Sequence, residues 1–170
     1  MRLPKSQGDE DGFCGLYSVL NSFSYLFPKL DEDHQSELFK RIAGAISPWP
    51  DIIWNGTETE DVWRMLHVAA GFTGSVRLAR PFSRNSLNFS EFFATLHTAV
   101  APNNTCAIIG LDKPYEHWTV AKSVSGKRIV LQDSCKLHLI DVAWCGLPRS
   151  GAKWVIEPKC TFLITKFPSK

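Results

Sequence analysis

A cysteine stands in Gly12-Phe13-Cys14-Gly15-Leu16, where a glycine-punctuated stretch passes into an apolar one. Leu16, Val19, Leu20, Phe23 and Phe27 recur at helical spacing and Pro28 follows, so the pattern predicts a helix with Cys14 in its first turn. Unpaired backbone N–H groups and the positive end of the helix dipole favour a thiolate there, and the thiolate is the nucleophilic form. Such a nucleophile needs a base for its proton, and the base needs a third group to fix its tautomer and stabilise the imidazolium. His117 opens an apolar run after the polar stretch 112–116, and Asp133 closes the next run. A turn at Ser125-Gly126 makes a hairpin of the two runs, which brings His117 and Asp133 together at one edge of a sheet, within reach of a helix N-terminus packed over it. Gln7, seven positions before the cysteine, is placed to offer its side-chain amide to a developing oxyanion beside the backbone N–H of Cys14.

The elements that must position these groups divide the chain into a helical half and a sheet half. Asp31 to His34 supplies a cap and an acidic first turn for a second helix through Leu38, Phe39, Ile42, Ala43 and Ile46. Ser47-Pro48-Trp49-Pro50 breaks it, 51–56 reads as a loop, and Thr57 with Glu60 makes a capping-box pattern for a third helix to about Ala70. Val76 and Leu78 suggest a short strand, and Ser90 caps a fourth helix through His97. From Asn104 onward β-branched runs at 105–111, 117–124, 127–132, 153–157 and 160–166 alternate with turn residues. The expected class is α+β, a helical N-terminal lobe against a C-terminal antiparallel sheet, in a single domain over 1–170.

Composition limits the functions open to the chain. Its 170 residues are 44% hydrophobic, enough for a proper core. The formal net charge is +2 and no basic run stands out, so neither nucleic acid nor a membrane surface is an expected partner. The start, Met1 to Ser6, has no apolar signal-like core and no later run reaches membrane-spanning length, so a cytoplasmic protein is expected. Five irregularly spaced cysteines argue for reduced thiols rather than a disulfide framework.

Gln7, Gly12-Phe13-Cys14-Gly15-Leu16 opening a helix, His117-Trp118-Thr119-Val120, and Asp133-Ser134 one strand later together resemble the papain-like cysteine peptidases. The likeness is greatest to the leader-peptidase branch that trims peptides after a double glycine, although Phe13 stands where that branch usually carries an acid and Gln7 lies one position farther from the cysteine than is usual. The resemblance implies a papain-like fold with Cys14 as nucleophile, His117 as general base and acid, Asp133 as its orienter and Gln7 as oxyanion donor. It implies a peptide or protein substrate, with small residues such as Gly-Gly before the cleaved bond, and no cofactor or metal. The same chemistry serves deamidases and acyltransferases, and a third reading is a catalytically silent module that binds a peptide or a ubiquitin-like tail.

Other residues carry weaker signals. Asp9, Glu10 and Asp11 read as a solvated loop, with selection of a basic substrate a minor alternative. Cys135, His138 and Cys145 contain a C-x-x-H spacing but too few ligands for a zinc site, and the apolar residues among them read as strand. Trp118 adjoins His117, where it is expected to shield the imidazole or wall a substrate pocket.

Overall fold

The computed structural model describes residues 12–82, 88–112 and 115–168, and only the backbone of Pro50 and Asp51. Four helices come first: α1 Cys14–Leu26, α2 Glu32–Gly44, α3 Trp49–Asn55 and α4 Thr59–Thr73. Strand β1 Val76–Ala79 and helix α5 Phe89–Val100 follow, then β2 Thr105–Leu111, β3 His117–Ser125, β4 Arg128–Gln132, β5 Leu139–Asp141, the short β6 Cys145–Gly146 and the long β7 Trp154–Lys166. The sheet runs β1-β7-β2-β3-β4-β5 with every pairing antiparallel, and β6 adds a parallel pair with β7. The class is α+β, as expected.

The sheet is buried on both faces. Cys106 and Ile108 of β2 point into one core with α1, α2 and α4, whereas Ala107, Ile109 and Leu111 point into a second core under Phe92, Leu96 and Val100 of α5. Alternate residues of a strand face opposite ways, so a strand covered on both sides reads as an unbroken apolar run, which is what 105–111 is. Helix α1 is likewise buried nearly all round, including Ser18, Asn21 and Ser22. Its polar groups bond across to the sheet. Ser18 Oγ donates to the Trp118 carbonyl at 2.8 Å, Tyr25 Oη to the Lys122 carbonyl at 3.3 Å, and Gln132 Nε2 to the Asn21 carbonyl at 3.1 Å.

Several elements differ from expectation. Residues 49–55 are helical, because a proline in a helix's first turn has no intrahelical N–H bond to lose and so can open the very helix it separates from the last. Helix α4 is capped by Glu58 and Asp61 rather than Thr57 and Glu60. Helix α5 starts at Phe89, since Asn88 accepts the Glu91 N–H and Glu91 returns the bond to the Asn88 N–H. The two closing runs are one strand, β7, whose pairing with β2 jumps from Ile109–Thr161 to Gly110–Glu157, so residues 158–160 bulge out of the ladder. Pro158, which has no N–H to give, lies in that bulge. Among the described residues, no helix is long and apolar enough to cross a membrane.

Candidate active site

Cys14 is the first residue of α1, only 6% exposed, behind Phe13 and with no side chain capping the helix end among the described residues. Glycines on both sides decide what can approach it. A Cβ on Gly12 would collide with the Ile52 carbonyl and Gly56, and one on Gly15 would collide with Thr57 Oγ1 and crowd Val62. The Gly12 N–H donates to the Ile53 carbonyl at 3.0 Å. The Gly-Phe-Cys-Gly pattern therefore allows the segment 55–59, between α3 and α4, to lie directly against the first turn of α1 at Cys14. That segment forms one wall of a cleft of about 320 Å³. The facing wall is the end of β2, the start of β3 and β7 at its bulge, with Glu157 just before the bulge and Cys160 within it.

His117 begins β3 opposite Leu111 of β2, and Asp133 follows the last residue of β4. Their side chains meet, with Nε2 2.7 Å from Oδ2. The Cys14 thiol is the imidazole's other neighbour, near enough to help raise its pKa, and with Nε2 committed to Asp133 the nitrogen left for sulfur is Nδ1. Asp133 is 3% exposed, and its second oxygen accepts the N–H groups of Cys135 at 2.7 Å and Leu137 at 3.2 Å. Lys136, in the left-handed region at φ 66°, turns the chain between those two donors.

The electrostatics follow from this geometry. Burial pulls the His117 imidazole toward its neutral form, but the hydrogen bonds and charges of Asp133 and Cys14 outweigh it and raise the pKa to about 9. Burial likewise pushes Asp133 up, and the His117 bond and charge together with the Cys135 N–H more than offset it, holding the carboxyl below its usual value. The Thr119 hydroxyl lies near this carboxylate and adds to the lowering, although it makes no hydrogen bond of good geometry among the described residues. Elsewhere burial pushes thiols away from the reactive form: Cys106 goes well up, Cys145 to about 12, and Cys160 also up.

The structure thus brings together Cys14, His117 and Asp133. Gln7 lies outside the described residues. Trp118 lines the cleft as its buried wall, fixed by an Nε1 bond to the Thr57 carbonyl at 2.9 Å and stacked on Phe162. Sequence reasoning missed the 55–59 wall, whose signal was the pair of glycines around Cys14, and Cys160, which faces Thr59 Oγ1 at 3.0 Å and reaches the cleft only through the bulge. Cys135 and His138 do not gather with Cys145, which bonds to the Asp141 carbonyl instead. Cys135 sits with His117 and Asp133, the three ligand atoms lying within 4.8 Å of one another. No family model matches the chain, and no curated protein matches it in sequence.

Proposed function

We propose that the chain is a papain-like cysteine peptidase or isopeptidase that cleaves a peptide or peptide-tail amide. The observation that carries the reading is that His117, hydrogen-bonded to the buried Asp133, lines the same cleft as Cys14, between a helix N-terminus and a sheet end. In the resting site the imidazole holds a proton, and the attacking form of a cysteine is its thiolate. The thiolate attacks the scissile carbonyl carbon and a C–S bond forms. The oxyanion that develops takes the Cys14 N–H and, in the sequence-based assignment, the Gln7 amide. His117 passes its proton to the leaving amine as the C–N bond breaks. It then takes a proton from water, whose oxygen attacks the thioester; the C–S bond breaks, releasing a carboxylic acid and restoring the Cys14 thiolate beside the imidazolium. Asp133 holds the ring and stabilises its charge throughout.

The resemblance supports small residues before the cleaved bond. The cleft adds a second feature, being lined by Glu58, Asp112, Glu116 and Glu157 with no lysine or arginine among its described lining residues. A substrate with cationic or donor groups fits that lining. All five cysteines are free, which supports a reducing, cytoplasmic setting.

The test joins reactivity to turnover. Iodoacetamide alkylation of Cys14, located by mass spectrometry, is followed against pH in the protein and in His117→Ala, and a set of Gly-Gly peptide amides is screened for hydrolysis. Fast alkylation below pH 7 that is lost in His117→Ala, with hydrolysis abolished in Cys14→Ala, is the expected result. Slow alkylation that follows an ordinary thiol in both proteins, with no turnover, overturns the reading and leaves a binding module.

A further inference from the structure

We propose that His117, Asp133 and Cys135 form an inhibitory site for a divalent transition-metal ion, zinc foremost. The three side chains come from the start of β3, the end of β4 and the loop after it, and their ligand atoms lie within 4.8 Å of one another. Zinc bonds to nitrogen and oxygen at about 2.0–2.2 Å and to sulfur at about 2.3 Å. Tetrahedral ligands on one ion are therefore about 3.3–3.7 Å apart, so binding requires the His117 imidazole to move out from its 2.7 Å bond with Asp133 by about half an ångström or more while the Cys135 sulfur, within 4.8 Å of both, moves in. The backbone already places that side chain. Asp133 Oδ1 is occupied by the Cys135 and Leu137 N–H groups, so the carboxylate is fixed with Oδ2 toward His117, and the Lys136 turn keeps Cys135 alongside.

The donor set selects the ion. One imidazole nitrogen, one carboxylate oxygen and one thiolate suit zinc and its neighbours, whereas magnesium and calcium favour oxygen throughout. Carboxylate and thiolate together neutralise a divalent charge, and three protein ligands leave a fourth position for water. On binding, the thiol proton of Cys135 and the proton between Nε2 and Oδ2 leave to solvent. The ion then occupies the two atoms whose bond orients His117 toward Cys14, so a bound ion silences the site while Cys14 itself stays uncoordinated. Only this inhibitory consequence rests on the proposed peptidase reading; the binding does not.

Cobalt(II) is the probe, added to the reduced, chelator-treated full chain and followed by the absorption of tetrahedral cobalt and of thiolate-to-cobalt charge transfer. One equivalent is expected to develop both bands in the protein and in Cys14→Ser, with zinc displacing the cobalt. Cys135→Ser is expected to lose the charge-transfer band and bind cobalt about tenfold more weakly or worse. Zinc is expected to slow Cys14 alkylation in the wild type and not in Cys135→Ser. No charge-transfer band, a band that survives Cys135→Ser, or one that disappears in Cys14→Ser overturns the site. Cobalt bands that obey the expected pattern in a protein with no hydrolytic activity leave the metal site standing and remove the peptidase reading instead.

Discussion

Asp133 holds His117 with one carboxylate oxygen and its own chain with the other. Oδ2 meets Nε2 at 2.7 Å, while Oδ1 takes the N–H groups of Cys135 and Leu137. The carboxylate cannot rotate without breaking one set or the other, so the imidazole is presented to Cys14 in one orientation. The bond and charge of Asp133 are also the chief reason the His117 pKa stands near 9.

On the proposed peptidase reading, that bond sets a pH limit on catalysis. The proton that His117 gives to the leaving amine is present below about 9 and lost above it, so kcat/KM is expected to fall on an alkaline limb near that value. Asp133→Asn removes the charge that raises the imidazole. The limb is expected to move toward neutrality, with a loss of about a hundredfold or more in kcat/KM. A limb that stays in place in Asp133→Asn would show that another group sets it.

The same pair makes stability depend on pH. His117 titrates near 6.5 when unfolded and about 9 when folded, so its contribution is full below 6.5 and disappears as pH rises to about 9. Asp133 is depressed below 3.8, so its contribution is present above that value and is lost as pH falls through the lower folded pKa. Urea unfolding is expected to show the pair most stabilising between about pH 4 and 6.5. The His117 part, on the order of 3 kcal/mol at most, fades toward pH 9. The stability difference between wild type and His117→Ala should shrink over that upper range; a constant difference would mean that the imidazole's proton is not linked to folding.

The glycine after Cys14 is there for closeness. In Gly15→Ala the new methyl group meets Thr57 Oγ1 and crowds Val62, so either α1 or the 55–59 wall must move, at about 1–3 kcal/mol. Activity is expected to fall with Cys14 intact. Thr57→Ala removes a buried hydroxyl that has no hydrogen-bond partner among the described residues, so alone it is expected to cost little. Combined with Gly15→Ala it should restore part of both stability and activity. Strictly additive losses in the double variant would separate the glycine from the threonine.

What could be read from the sequence was what depends on local pattern. The Cys14 helix, the His117 strand and the Asp133 strand end are each marked by a periodicity or a turn, and the hairpin that joins the last two is nearly adjacent in the chain. What could not be read depends on long-range pairing. Cys160 enters the cleft because the β7 ladder against β2 slips at Gly110, and no local signal in 158–160 beyond Pro158 announces a slip. Helix α3 was hidden because its prolines also end a helix, and local rules serve both readings. The polar residues of α1 give no hint that they face a sheet, since Ser18 and Asn21 find their partners in Trp118 and Gln132, about a hundred residues away.

The charge of the cleft can be measured at Cys14 without a substrate. Four carboxylates line it, against the single positive charge of His117 among the described lining residues. Their field should attract a cation and repel an anion by about tenfold at low salt, and salt should weaken the effect. Two methanethiosulfonate reagents of similar size, one ending in trimethylammonium and one in sulfonate, report this as a ratio of rates at Cys14. A Cys160→Ser background removes the second thiol of the cleft. The ratio is expected to exceed that of a small free thiol, and to approach it in Glu157→Gln combined with Asp112→Asn. Substrates carrying lysine or arginine in the bound segment should then be preferred to those carrying acids, and the same two substitutions should erase that preference. A ratio no greater than the free thiol's, or one that the substitutions leave unchanged, would remove cleft charge from the account of specificity and leave it to the shape set by Trp118 and the 55–59 wall.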